Sequence, residues 1–144
     1  MTITDEKVFS QAWHKIFETI KTISDPGGKS KWVFSSFPEK KIDEPEAYPL
    51  IVIPLIDVSY DPLTFTAMKR GPLTVTIDVY STSSSQLDTI SDSIVDKMET
   101  SEDAFMASGI TVMRLVGTDY DHFTRNSMRI HNKTLTYEFD YGWS

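Results

Sequence analysis

The stretch 71–90, GPLTVTIDVYSTSSSQLDTI, changes its apolar period at one short joint. Up to Tyr80 the apolar residues alternate, as Leu73, Val75, Ile77 and Val79, and alternation places them on one face of a strand. From Leu87 they recur three and four apart, as Leu87, Ile90, Ile94 and Met98, which makes one stripe of a helix closing near Thr100. Only the small hydroxylated residues 81–85 separate the two patterns. A strand that runs so directly into a helix has to lay that helix back over its own sheet, since both apolar faces need cover.

The rest of the chain has to fit around this unit. Phe9, Trp13, Ile16, Ile20 and Ile23 form an apolar stripe that predicts a helix over 5–23, with Thr4 and Asp5 as caps. Pro26 and two glycines end it. KWVFSSF predicts a short strand, and PEKKIDEPEAYP, with its prolines and charges, an exposed connection. Residues 50–60 read as a buried strand in which Pro54, lacking an N–H, needs a sheet edge or a bulge. Residues 61–71 read as a loop or extended arm. Residues 101–109 read as a connection with room for one helical turn, and ITVMRLVGTDY and MRIHNKTLTYEFDYGW as the last two strands. The expectation is a single α+β domain over 1–144: a mainly antiparallel sheet with two helices on one face, in the order α-β-β-β-α-β-β.

Composition removes several function classes. The chain of 144 residues has no cysteine, so disulfides and thiolate chemistry are excluded and an intracellular site of folding is expected. Its formal net charge is −7 and its Lys and Arg residues are scattered, unlike the clustered cations of a nucleic-acid binder. The N-terminus does not read as a signal peptide, and the longest apolar run, 50–56, is interrupted by Pro54, so a soluble protein without a membrane span is expected.

Reactive constellations are sparse. GGKS at 27–30 shares part of a phosphate-binding loop, but that motif needs a glycine where Ile23 stands, a strand before and a helix after. The expectation is a helix stop with a solvated Lys29. DYDHF puts Asp119 and Asp121 beside His122, which supplies too few ligands for a metal cage and reads as a loop between strands. A small enzyme using Asp119, Asp121 and His122 is the alternative from a different class. His14, His122 and His131 stand in no metal-binding spacing, and no serine lies in a nucleophile elbow. Asp88, Asp92, Asp96 and Glu99 fall on one outer face of the second helix, as a solvated face or a subunit interface.

The order YPLIVI, an excursion, TVTIDVYSTSSSQLDTISDSIVDKM, a connection and two strands resembles the tail completion or tail terminator proteins of long-tailed bacteriophages. Ile77, Asp78, Val79, Tyr80, Ser81 and the helix from Ser85 stand where that family's strand–joint–helix pattern would place them, and the likeness covers about 5–141. Head-completion connectors of the phage neck look similar. The resemblance implies a structural virion protein without cofactor or catalytic site. It implies a ring, usually hexameric, at the head-proximal end of the tail. The ring stops tail-tube polymerisation, meets the head-completion proteins and lets DNA pass through its lumen without specific binding. For such assembly the expected contact residues are Phe65 and Met68, apolar in an arm, with Lys69 and Arg70 at its basic tip. The arm would cross to a neighbouring subunit or to the tail tube, and its basic tip would meet Asp88, Asp92 and Asp96 on the next copy.

Overall fold

The computed structural model describes residues 8–29, 31–38, 45–54, 57–58 and 69–142. The elements run α1 (Val8–Lys21), β1 (Val33–Phe34), a 3-10 turn (Pro45–Ala47), β2 (Leu50–Val52), β3 (Asp57–Val58), β4 (Lys69–Ser81), α2 (Ser84–Thr100), α3 (Glu102–Ala107), β5 (Ile110–Arg125) and β6 (Met128–Gly142). They build one α+β unit whose sheet has the order β1-β2-β4-β6-β5, with β3 also paired to β4.

The strand–helix joint forms as its residue types dictate. Ser83 caps α2, its hydroxyl accepting from the Gln86 N–H. Ser81 is fully buried, donates to the Gln86 side chain at 2.8 Å and accepts from the Ser83 N–H. Leu87, Ile90, Ile94 and Met98 then descend onto Leu73, Val75, Ile77 and Val79 of β4 and Leu135, Tyr137 and Phe139 of β6 in one buried cluster. Ala12, Ile16 and Ile20 of α1 join the same cluster, so both long helices cover one sheet face. Trp13 sits at its margin, stacked on Phe17 and donating its indole N–H to the Ile53 carbonyl at 3.0 Å.

The α+β class and the mainly antiparallel pairing hold, and three finer features differ from the expectation. The sheet is mixed, because β1 runs parallel to β2, with Ile51 and Ile53 donating to the Trp32 and Phe34 carbonyls at 2.8 Å. The strand expected over 50–60 is two short pieces, β2 and β3, both antiparallel to β4. Pro54 stands between them, where a missing N–H would leave a gap in the ladder. Residues 101–109 hold a full helix, α3, anchored by the buried Phe105.

The far face of the sheet carries a second, smaller cluster of Tyr48, Leu50, Val52 and Ile130, flanked by Phe37, Tyr80 and Phe123. Its aromatic rings meet at angles, Phe37 tilted against Tyr80 at 4.8 Å and Tyr80 edge-on to Phe123 at 6.3 Å. Tyr48 therefore lies in a core, although the connection that carries it reads as exposed. Burial, and then the nearby Asp78 and Tyr48, pushes the Tyr80 phenol up to about 12.

The GGKS turn is closed by Asp25. Its carboxylate accepts from the Gly27 and Lys29 N–H groups at 2.8 and 2.9 Å, and the Lys29 ammonium lies 2.8 Å away. Gly28 takes a left-handed φ of 83°, which a glycine adopts without strain. Lys29 is thus a structural ion-pair partner, not the solvated side chain expected. Burial alone would raise the Asp25 carboxyl, but the Lys29 and Gly27 hydrogen bonds outweigh it and hold the group below its usual 3.8.

Candidate interaction surface

β5 and β6 form a hairpin joined by Asn126 and Ser127, whose φ values of 49° and 66° define a two-residue turn that matches the twist of the strands. DYDHF lies inside β5 and not in a loop, which corrects the expectation. The ladder runs unbroken from Gly117↔Thr136 to Arg125↔Met128. Strand alternation then separates the three residues of the enzyme alternative. Asp119 and Asp121 face one side of the sheet, opposite Thr134 and Asn132, while His122 faces the other, opposite His131. Each carboxylate accepts from the next residue's own N–H, at 3.1 and 2.8 Å. Among the described residues no group of three or more His, Asp or Glu side chains gathers as a metal site.

His122 and His131, far apart in sequence, are direct cross-strand neighbours. Tyr120 shares a 2.6 Å hydrogen bond with Nδ1 of His131, and the Arg129 guanidinium donates to Nδ1 of His122 at 2.9 Å. Tyr120 also stacks on His131, with ring centroids 6.0 Å apart. Alternation along β6 adds Lys133 to the same face, so Arg129, His131 and Lys133 form one row. Lys133 lies opposite Val79 on the helix-covered side and reaches back to Asp88 at 3.2 Å. Arg129 lies beyond Ser81, the last β4 residue paired with β6, so the row continues past the end of β4.

β5 is paired on one side only among the described residues. It carries exposed Val112, Leu115, Val116 and Tyr120. Val112 and Val116 fall where the ladder skips, between Thr111 and Arg114 and between Leu115 and Gly117. Bulges of this kind blunt the first half of an edge and leave the second half regular.

Asp88, Asp92, Asp96 and Glu99 are exposed along α2, as the spacing predicts. Asp88 is the member held by its own chain through Lys133, while Asp92 and Asp96 make no ion pair among the described residues. Lys69 and Arg70 open β4, opposite Gly142 and Tyr141, and do not belong to a loop. They stand at the sheet end away from the joint. Phe65 and Met68, with the rest of 61–68, lie outside the described residues. The basic row was legible as R-x-H-x-K at period two in 129–133, once DYDHF is read as strand.

No protein-family model matches the sequence, and no curated protein matches it at a significant level. Among the described residues no helix is long and apolar enough to cross a membrane.

Proposed function

We propose that this chain is a ring-forming structural protein of a phage neck, acting in the virion at the head-proximal end of the tail. A hexameric ring stops tail-tube polymerisation, binds the tube protein on one side and head-completion proteins on the other, and leaves a lumen for DNA. The observation that carries this reading is the regular half of the β5 edge, 117–125, paired on one side only among the described residues, with Tyr120 exposed on it. An open strand edge is a template for another chain. The strand–joint–helix unit supports the same reading, since Val79, Tyr80 and Ser81 lead directly into the Ser83 cap and α2. The net charge of −7 suits a lumen that passes DNA without gripping it. The separation of His122 from Asp119 and Asp121 weighs against the enzyme alternative.

Sedimentation of the purified chain, alone and mixed with isolated tails, tests the proposal. A closed oligomer of fixed size, free or on tails, is expected. A monomer under both conditions, or an open-ended polymer, contradicts it.

A further inference from the structure

We infer that the basic row on the β5–β6 hairpin of one copy seats on the acidic face of α2 of the next, with Arg129 and His131 against Asp92 and Asp96. This contact rests on the ring reading and names the surfaces that would join the copies. Three observations carry it.

The first is charge. In a chain whose net charge is −7 with its histidines neutral, the cations Arg129 and Lys133 share one face with the imidazoles of His131 and His122, while the outer face of α2 presents Asp88, Asp92, Asp96 and Glu99. Arg129 is exposed and contacts His122, and a guanidinium with five donors retains capacity for a carboxylate.

The second is spacing. Alternate residues of a strand recur at ~6.8 Å, and residues four apart on a helix at ~6 Å. The row 129, 131, 133 therefore matches the row 88, 92, 96 nearly step for step.

The third is a sample of the same chemistry inside one chain. The Lys133 ammonium binds the Asp88 carboxylate at 3.2 Å, so the two rows already touch at one end. From there the hairpin runs on past the end of β4 and α2 turns back over the sheet. The remaining members, Arg129 and His131 on one side and Asp92 and Asp96 on the other, diverge and cannot meet within the same copy. The two surfaces differ, so the contact is head-to-tail, and a head-to-tail contact closes into a ring when its rotation allows.

Charge reversal tests this. Arg129→Glu, and separately Asp92→Lys with Asp96→Lys, should each weaken self-association at least about tenfold while circular dichroism stays that of the original protein. Combining the reversals in one chain should restore association, because the swapped charges again attract. Raising salt should weaken the original contact, since Arg129, Asp92 and Asp96 are exposed. Arg129→Gln and Asp96→Asn remove charge without reversing it and give the same direction of change if a reversal disturbs folding. An original protein that assembles normally, with every variant assembling equally well, overturns this contact and leaves the ring reading in place. A monomer in free solution and on tails overturns both. Should Arg129→Glu instead reduce binding of a duplex DNA probe with assembly unchanged, the row is a nucleic-acid surface and the contact is wrong.

Discussion

Asp25 shows how one carboxylate fixes a turn. It accepts three hydrogen bonds from the backbone and side chain that follow it, and its side chain is fully buried. Leaving those donors without a charged partner should cost about 1–3 kcal/mol, so Asp25→Asn lowers stability by that amount at neutral pH. The pH dependence has a defined sign. The folded-state value lies below the usual 3.8, so the stabilisation is present above that value and is lost as pH falls through the folded one. Denaturant unfolding at neutral pH and in acid should therefore show the two proteins converging in acid, and a gap that widens in acid contradicts the assignment. Asp78 has the opposite bias: burial raises its carboxyl, and the Thr134 hydroxyl only partly offsets this. The sequence shows the glycines and the lysine of this turn, and rightly denies them a phosphate-binding context. It does not show that Lys29 folds back four residues, because that depends on Asp25 being buried beneath Gly27.

Period was the readable quantity among the elements. α1, α2, β4 and β6 stand close to where their apolar spacing predicts them, because each has one buried face and a regular repeat. Ile90 is 2% exposed within the main cluster, so Ile90→Ala should cost about 2–5 kcal/mol in chemical denaturation. A loss under about 0.5 kcal/mol, the range for surface changes, would place that side chain outside the core. β5 was only half legible. The strand read over 110–120 stops short of its end, because both faces are largely exposed beyond Leu115 and no apolar alternation marks 121–125, so acidic DYDHF reads as loop. Its strand character comes from the ladder to β6 and from the tight turn at Asn126 and Ser127. The same misreading hid the pairing of His122 with His131. The parallel β1–β2 pair was hidden because β1 is only two residues long and its ladder comes from the crossover path.

For the whole molecule, the layout places a helix-covered sheet at the centre, an exposed hairpin with a basic row on one flank and an acidic helix face above. That arrangement gives one copy two unlike surfaces of opposite sign, which suits a head-to-tail contact. Of the contact residues expected from sequence, Asp92 and Asp96 keep their place in the account, Asp88 is engaged within its own chain, and Lys69 and Arg70 belong to β4. The hairpin supplies the cations instead. Whether the ring ends the tail can be read by electron microscopy of tails assembled with and without this chain. Tails of uniform length bearing a ring at one end are expected when the chain is present, and tubes of uncontrolled length without it. Tails whose length distribution is the same in both preparations would contradict it.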